Sequence, residues 1–350
     1  MTGDGRRPGS ARSVAVLGAG SWGTTFAKIL ADAATAAGDE RQIRVWGRRG
    51  EVVEQINGIH RNIQYLKDIA LPETITASTD VGEVLAGADL VVLAVPAQSL
   101  RLQLREWKPL IDHQAIVVSL MKGLELDTDA RMSEVISQEL GIPADRIAVV
   151  SGPNLAMEIA REEPTASVVA CSDSAAAGWI ARSCTAPYFR PYTTADVVGV
   201  EIGGIVKNVI ALAVGICEGK QMGDNTKASV ITRGLAETSR LALALGGEAQ
   251  TMAGLAGLGD LVATCSSPLS RNHTAGRLLG EGLTLDEVAQ KMTQTAEGIK
   301  SGQAVHELAG KLGVDMPITA AVVAVLAGKL SVDQLGPLLL ARELKPEGDY

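Results

Sequence analysis

Aromatic residues and cysteines are both scarce in this sequence. Only 3% of its 350 residues are aromatic, which argues against the aromatic platforms that stack the bases of single-stranded nucleic acid. The net charge of −8 also argues against a general binder of phosphate backbones. The four cysteines and four histidines have no metal-ligand spacing. We therefore expect a reducing intracellular compartment, with neither a metal site nor a disulfide framework.

Neither a signal peptide nor a membrane span is expected. Residues 1–12 are polar and lack the apolar core of a secretory signal, so we expect a flexible tail on a cytoplasmic protein. The most apolar window, residues 197–217, contains Glu201 and Lys207. Each of these charges would cost about 2.5–3.5 kcal/mol at the centre of a bilayer, so we predict a buried helix there.

The first half of the chain alternates short β-branched runs with helical stretches, the pattern of βαβ units. Its strands are wholly apolar, which indicates a sheet covered on both faces. The predicted fold class for residues 13–195 is therefore α/β, with a doubly wound parallel sheet. The predicted strands are 13–18, 43–47, 89–96, 115–120, 146–150 and 165–170, and the predicted helices are 21–37, 80–87, 97–107 and 129–140.

The second half changes character near residue 195. Long segments rich in Ala, Leu, Gly and Val follow one another, and strand signals stop. Because 350 residues are too many for one small core, we expect a second domain, all α-helical, at 196–345. Asp196 is a candidate N-cap for its first helix. The predicted helices are 197–217, 226–245, 271–281, 284–292, 298–312, 317–328 and 332–342.

A glycine-rich motif follows the first predicted strand. Gly18, Gly20 and Gly23 satisfy the GxGxxG pattern between a strand and a helix, which is the context that a dinucleotide-binding loop requires. The first glycine permits the tight turn, the second lets the backbone approach a pyrophosphate, and the third allows close contact of helix and strand. We therefore predict a dinucleotide at the N-terminus of the first helix.

Arg48 and Arg49 follow the second strand, where an NAD-preferring site usually has an Asp or Glu for the ribose 2′-hydroxyl. Guanidinium groups suit a 2′-phosphate, so we expect NADP(H) to bind well. NAD(H), or a pair of solvated loop arginines, remains an open alternative. Tyr65 falls in a loop that either lies over the cofactor or anchors itself on the core.

Two further strands end in polar turns. Lys122 comes directly after one apolar strand, and Gly152 and Asn154 come after another. Because ligands bind beyond the carboxyl ends of the strands in such sheets, we expect Lys122 to face a ligand. The turn at Gly152 offers backbone N–H groups and an amide to a small polar substrate, although turns of this kind are common.

The apolar helix predicted at 197–217 carries Lys207 and Asn208 in its middle. An unpaired buried ammonium is costly, and Asp260, in another apolar and glycine-rich segment, is the candidate partner. Such a lysine could protonate the alkoxide that forms when a carbonyl accepts a hydride. A purely structural ion pair between two helices, or Asp260 as a helix cap, explains the same residues.

Ser270, Arg271 and Asn272 form a candidate phosphate cradle, because an arginine with neighbouring hydroxyl and amide donors suits that anion. A loop with a helix cap is the alternative. His273 has no partner that the sequence makes visible, and Cys265 has no base beside it. We assign catalysis to neither, and treat Cys265 as a small core residue.

With these motifs in order, the chain closely resembles the bacterial NAD(P)-dependent glycerol-3-phosphate dehydrogenases over residues 13–342. The resemblance rests on GAGSWGTTFA, SLMKGLE, SGPNLA, EIGGIVKNVIALAVGICEGKQMGDNTKA, GLAGLGDLVATCSSPLSRNHTAGRLLG and TAEGIKS. It implies a Rossmann domain followed by an α-helical domain that binds substrate and forms a homodimer.

The resemblance also implies roles for particular residues. Lys207 falls at the position of the proton donor and acceptor. The positions that hold glycerol 3-phosphate in the family correspond to Lys122, Gly152, Asn154, Lys207, Asp260, Ser270, Arg271 and Asn272. The nicotinamide-cofactor positions correspond to Ser21, Trp22, Arg48, Arg49, Lys122, Ala156, Arg271 and Glu297. Asn154 departs from the Ser or Thr that the family often has, although its amide can still donate to an oxygen.

The expected reaction is the reduction of dihydroxyacetone phosphate to sn-glycerol 3-phosphate with NADPH or NADH, supplying glycerophospholipid synthesis. Two alternatives differ in testable ways. A related reductase acting on a 3-hydroxy acid would need carboxylate recognition in place of the cradle at Ser270–Asn272. A non-catalytic NADP(H)-sensing module would have no reason to combine Lys207, Asp260 and Lys122.

Overall fold

The computed structural model describes residues 9–292 and 297–340, without the side chains of Glu297 and residues 338–340. Its strands are β1 (Ser13–Leu17), β2 (Gln42–Trp46), β3 (Ile75–Ser78), β4 (Leu90–Leu93), β5 (Ile116–Ser119), β6 (Ile147–Ser151), β7 (Thr165–Ala170) and β8 (Phe189–Thr194). Among the strands lie α1 (Ser21–Ala37), α2 (Gly50–Ile59), α3 (Ile63–Leu66), α4 (Val81–Leu85), α5 (Leu100–Trp107), α6 (Met132–Leu140), α7 (Ala156–Ala160) and α8 (Ser174–Ser183).

In the rest of the described chain, the regular secondary-structure elements are all helices. They are α9 (Val197–Gly219), α10 (Asp224–Ala244), α11 (Ala249–Ala253), α12 (Asp260–Ser266), α13 (Arg271–Gly280), α14 (Leu285–Lys291), α15 (Glu297–Leu312), α16 (Pro317–Leu326) and α17 (Val332–Leu340). A π-helical turn, Leu255–Gly259, precedes α12. Short 3₁₀ turns occupy Ala97–Ser99, Lys108–Leu110 and Ala144–Arg146.

The strands form one sheet in the order β3-β2-β1-β4-β5-β6-β7-β8. The first six follow the 3-2-1-4-5-6 order of doubly wound dinucleotide-binding folds, so the predicted fold class is confirmed. One pair departs from the predicted parallel arrangement, because β6 and β7 are antiparallel. A strand buried on both faces has the same apolar pattern in either direction, which is why the sequence did not reveal the reversal.

Two strands and several short helices were not predicted. β3 has only four residues, and β8 is an edge strand that contains Pro191, a residue that edge positions tolerate because they do not need its missing N–H. The π-helical turn and α12 were also missed, since five to seven residues are too few to establish a period.

The chain divides into two compact units. One contains the residues up to Lys122 together with Ala130–Val197, and the other contains Gly123–Asp129 together with the chain from Val198 onward. Of the N-terminal segment, the described part begins at Gly9. Within it Ala11 is buried, and its N–H donates to Ser183 Oγ at 2.8 Å.

Helix α9 is the core of the helical unit. It is long and apolar enough to cross a membrane by length and composition, but 89% of that window is buried inside the protein. Such a helix, apolar on all sides, is typical of a protein core. No clear membrane span is therefore present in the part of the chain that the structure describes.

Glycines let α9 and α13 approach each other at backbone distance. A Cβ at Gly215 would lie 2.1 Å from the carbonyl oxygen of His273, and one at Gly276 would lie 2.1 Å from that of Leu212. Neither position can hold a side chain without moving a helix, because real Cβ atoms do not come this close to backbone atoms. This packing fixes where α13 runs along α9.

Candidate functional site

Lys207 lies in the middle of α9 and forms the predicted ion pair with Asp260. Its Nζ donates to Asp260 Oδ1 at 2.6 Å and to Thr264 Oγ1 at 2.6 Å. The Lys207 side chain is 10% exposed and that of Asp260 is 1% exposed. A buried ammonium is tolerated only when a charge and hydrogen bonds satisfy it, and here Asp260 and Thr264 supply both.

Thr264 was missed by the sequence reasoning. It stands four residues after Asp260, so both side chains lie on the same face of α12. The Thr264 hydroxyl also donates to Asp260 Oδ1 at 3.2 Å. The spacing of four residues was the signal that could have identified it.

The turn before Asp260 brings α12 close to α9. A Cβ at Gly203 would lie only 2.5 Å from the carbonyl oxygen of Ala256, in the π-helical turn. Gly203 is four residues before Lys207, so it lies on the same face of α9. π-Helical turns are rare and frequent at functional sites, and this one leads directly into Asp260.

Asn208, the residue after Lys207 on α9, forms a chain of buried amides with Asn272. Asn272 Nδ2 donates to Asn208 Oδ1 at 2.9 Å, and the backbone N–H of Gly298 donates to Asn272 Oδ1 at 2.9 Å. Asn208 Nδ2 is buried and has no hydrogen-bond partner among the described residues. The chain therefore ends in a buried donor that no described residue accepts.

The predicted phosphate cradle lies at the start of α13. Ser270 is the N-cap, and its Oγ accepts from the N–H of His273 at 3.2 Å. Arg271 and Asn272 are the first two residues of the helix, where N–H groups lack intrahelical partners and favour an anion. His273 Nε2 lies 3.0 Å from Glu218 Oε2, a partner that the sequence did not make visible.

The glycine-rich loop of the first unit has the shape that a dinucleotide requires. Gly18 has φ +130°, and a Cβ there would lie 2.4 Å from the carbonyl oxygen of Ala94. A Cβ at Gly23 would lie 2.0 Å from the carbonyl oxygen of Gly18. Gly20 precedes α1 with no side-chain cap, and no atom lies within 4 Å of a Cβ built on it. An anion can therefore approach the helix N-terminus.

Asn62 supports this loop and was not predicted from the sequence. Its side chain is buried, and Nδ2 donates to the carbonyl oxygen of Ala19 at 3.0 Å and to Thr24 Oγ1 at 2.8 Å. Ser21 Oγ donates to the carbonyl oxygen of Tyr65 at 3.5 Å. A lone asparagine in a loop gives no signal in sequence that it braces a motif about 40 residues away.

Arg48 and Arg49 are exposed after β2, and the Arg49 guanidinium lies 5.3 Å from the centroid of the Tyr65 ring. This stacking restrains Arg49 through a cation–π contact. Trp22 packs edge-on against Phe26, with ring centroids 5.7 Å apart. Trp22 lies on α1, which follows β1, whereas Tyr65 lies on the short helix α3 and not in the predicted loop.

The turns after β5 and β6 meet at Lys122, whose Nζ donates to the carbonyl oxygen of Gly152 at 3.1 Å. Gly152 has φ +140°, a conformation that side chains disfavour. Both amide atoms of Asn154 are buried without a hydrogen-bond partner in the described part of the chain. Ala156 begins α7, and its carbonyl oxygen accepts from Thr25 Oγ1 at 3.2 Å.

Glu297 and Cys265 both lie in the helical unit. Glu297 begins α15, but its side chain lies outside the described residues. Burial raises the pKa of the Cys265 thiol to about 12, so the thiolate does not form at neutral pH. Cys265 is therefore a small core residue, as expected.

A dinucleotide-binding sheet, a glycine loop open to an anion, and a buried lysine–aspartate pair together define a nicotinamide-dependent oxidoreductase. Comparison with known proteins is specific. The sequence profile of the NAD-dependent glycerol-3-phosphate dehydrogenase N-terminus matches residues 13–177, and that of the C-terminus matches residues 196–336. The chain belongs to the NAD-dependent glycerol-3-phosphate dehydrogenase family.

Individual relatives agree along almost the whole chain. A glycerol-3-phosphate dehydrogenase [NAD(P)+] of Thermobifida fusca is 57% identical over 334 residues, 95% of this chain and 98% of the relative. The crystal structure of glycerol-3-phosphate dehydrogenase from Coxiella burnetii is similar with a TM-score of 0.88 at 37% identity, covering 95% of this chain and 99% of that one. The yeast Saccharomyces cerevisiae enzyme gives a TM-score of 0.82 at 28% identity, with coverage of 94% and 99%.

Proposed function

We propose that this chain interconverts dihydroxyacetone phosphate and sn-glycerol 3-phosphate, with Lys207 as the group that exchanges the proton. The observation that carries the proposal is the buried Lys207–Asp260–Thr264 cluster in a chain of this family. When bound, NAD(P)H supplies the hydride that reduces the carbonyl carbon C2 of the substrate. The protein must then supply the proton and stabilise the developing alkoxide.

Lys207 has the N–H donors and the positive charge that proton transfer and stabilisation of the alkoxide require. An ammonium has three N–H donors, and Asp260 and Thr264 accept two of them. We assign the third to the substrate oxygen that becomes the alkoxide. The adjacent positive charge stabilises that oxygen, and transfer of the proton completes the reduction. Before the transfer, Asp260 keeps the ammonium oriented and compensates for its buried charge.

The substrate phosphate is assigned to the start of α13. Arg271 supplies a guanidinium, Ser270 caps the helix, and Asn272 offers its backbone N–H, because Asn208 and Gly298 use both atoms of its side-chain amide. A helix N-terminus and an arginine both favour a dianion. We assign Lys122, Gly152 and Asn154 to the polar remainder of the substrate, because the buried Asn154 amide has both a donor and an acceptor to satisfy.

The cofactor is assigned to the glycine loop and the residues that follow β2. The open N-terminus of α1 suits the pyrophosphate, and the stacked Arg49 suits a 2′-phosphate, so we expect NADPH to be preferred over NADH. The other residues that we assign to the cofactor are Ser21, Trp22, Arg48, Tyr65, Lys122, Ala156, Arg271 and Glu297.

The cellular setting is part of the proposal. We assign residues 13–195 to cofactor binding and residues 196–345 to the substrate and to dimerisation. We propose a cytoplasmic homodimer that supplies glycerol 3-phosphate to glycerophospholipid synthesis. Sedimentation of the purified chain tests the dimer, since a single species at the monomer mass would contradict it.

The direct test follows the absorbance of NADPH, and separately of NADH, at 340 nm after dihydroxyacetone phosphate is added. Rapid loss of absorbance establishes the reaction, and the ratio of the two rates gives the cofactor preference. A 3-oxo acid, which a reductase of the 3-hydroxy-acid type would reduce with NADPH, replaces the ketone phosphate as the control. If folded protein binds NADPH yet consumes none with the ketone phosphate, the substrate assignment is wrong.

A further inference from the structure

The chain of amides next to Lys207 has a fixed direction. It runs from the backbone N–H of Gly298 to Asn272 Oδ1, and from Asn272 Nδ2 to Asn208 Oδ1. It ends at Asn208 Nδ2, which has no partner among the described residues. Asn208 is 4% exposed and Asn272 is 7% exposed, so little water is available to replace these bonds.

A backbone N–H fixes this direction because it can only donate. Gly298 therefore requires the oxygen of Asn272 to face it, which leaves the Asn272 NH₂ group facing Asn208. If the Asn208 amide turned over, two NH₂ groups would face each other and a hydrogen bond would be lost. The orientation of both side chains thus follows from one peptide group at the start of α15.

The contact between Gly298 and the two asparagines also leaves no room for a side chain at position 298. A Cβ at Gly298 would lie 2.6 Å from the carbonyl oxygen of Asn208 and 3.0 Å from Asn272 Oδ1. Only a residue without a side chain lets this N–H reach Asn272. The first turn of α15 is therefore packed directly on Asn208 and Asn272.

We propose that Asn272 is a positioning residue, which together with the Gly298 N–H holds the Asn208 amide with its NH₂ group toward an oxygen of the substrate. The ligand at this point is an acceptor, a phosphate, carbonyl or hydroxyl oxygen, and a ligand donor is rejected there. The inference rests on the proposed function for the identity of the substrate. An unpaired buried donor is costly, and the bound substrate oxygen removes that cost.

Asn272→Asp tests the direction of the chain. The carboxylate still accepts from Gly298 but no longer donates to Asn208, so the Asn208 amide turns its NH₂ group to the new carboxylate. Its oxygen then faces the substrate. We expect kcat/KM for dihydroxyacetone phosphate to fall about 10- to 100-fold, the range for losing a hydrogen bond to a charged group. The Kd for NADPH, measured by fluorescence titration, should change by less than about twofold, because the defect is at the substrate.

A double-mutant cycle separates positioning from simple structural damage. Once Asn208→Ala has removed the donor, adding Asn272→Asp should cause little further loss in kcat/KM. Losses that multiply in the double variant would overturn the proposal. Asn225→Asp, an exposed change of the same charge at the start of α10, is the matched control and should match the wild type.

A second variant keeps the test decisive if Asn272→Asp does not fold. Asn208→Asp preserves the acceptor for Asn272 Nδ2 but replaces the free donor with an acceptor. It should lose kcat/KM at least as strongly, and wild-type values in this variant would also overturn the proposal. Wild-type protein that fails to consume NADPH with dihydroxyacetone phosphate would instead reject the proposed function, so the two failures are distinguishable.

Discussion

Lys207 Nζ lies 2.6 Å from Asp260 Oδ1, and both side chains are almost completely withdrawn from solvent. The two groups come from α9 and α12, 53 residues apart in sequence. Each charge is acceptable in the core only because the other is present. The pair therefore links the stability of the helical unit to the chemistry proposed for Lys207, and the two effects can be measured separately.

Replacing Lys207 with alanine should abolish turnover without abolishing cofactor binding. We expect kcat to fall by about three orders of magnitude, because a proton donor and an alkoxide-stabilising charge are lost together. Steady-state rates and NADPH titration measure the two quantities. Lys227→Ala, which removes a lysine of α10 paired with Asp224, is the control, and near-normal kcat in Lys207→Ala would contradict the assignment.

Asp260→Ala should destabilise the fold more than removing the pair as a whole. We expect a loss of about 3–5 kcal/mol in the free energy of unfolding, because the Lys207 ammonium is left buried without its charge partner. Adding Lys207→Met to Asp260→Ala should restore part of that loss. Urea unfolding of the wild type and these variants measures the coupling, and a double variant less stable than Asp260→Ala alone would argue against it.

The close contact between α9 and α13 should not tolerate a methyl group. Gly276→Ala places a Cβ about 2.1 Å from the carbonyl oxygen of Leu212, so we expect a loss of several kcal/mol or failure to fold. Gly310→Ala is the matched control in α15, because no atom lies within 4 Å of its Cβ. That change should be neutral or should stabilise by up to about 1 kcal/mol, since alanine favours helix over glycine. Equal thermal shifts in the two variants would contradict the packing argument.

Arg49→Ala should reduce the preference for NADPH. The stacked guanidinium is assigned to the 2′-phosphate, which NADH lacks, so kcat/KM for NADPH should fall about 10-fold while that for NADH changes little. Tyr65→Leu should have a smaller effect in the same direction, because Arg49 remains but loses its restraint. An equal loss with both cofactors would show that Arg49 does not read the 2′-position.

Glu237 should make stability depend on pH between about 4.5 and 7. Burial raises the pKa of this carboxyl to about 7, although its oxygens accept from the N–H groups of Ile318 and Thr319. Because the folded-state pKa is the higher one, the proton is held more tightly in the folded protein. The contribution of Glu237 to the free energy of unfolding is fully present below the unfolded-state pKa. It is lost as the pH rises through 7, and it is on the order of 3 kcal/mol.

Urea unfolding from pH 5 to 8 measures this contribution. Glu237→Gln should remove most of the slope that the wild type shows in that window, since the amide does not titrate. Glu106→Gln, an exposed change on α5, is the control and should keep the wild-type slope. Parallel profiles for the wild type and Glu237→Gln would rule out Glu237 as the source.

Several elements of the site could be predicted because their signals are local. The GxGxxG pattern lies within six residues, from Gly18 to Gly23. Ser270 and its neighbours likewise mark the start of α13. Thr264 and Asn62 could not be found in this way. Each acts on a partner in another element, and a threonine in a helix or an asparagine in a loop has an ordinary local meaning.

The sequence by itself determined the class of fold, the position of the glycine loop and the need for a partner to Lys207, because hydrophobic period, steric demand and charge burial are properties of short segments. Only the tertiary structure decided the rest. It joined Lys207 to Thr264 as well as to Asp260, made β7 antiparallel to β6, and gave His273 its partner Glu218. It also set the direction of the amides of Asn272 and Asn208. These outcomes depend on which backbone groups meet across distant helices, and that is fixed only when the glycines of α9 let those helices close upon one another.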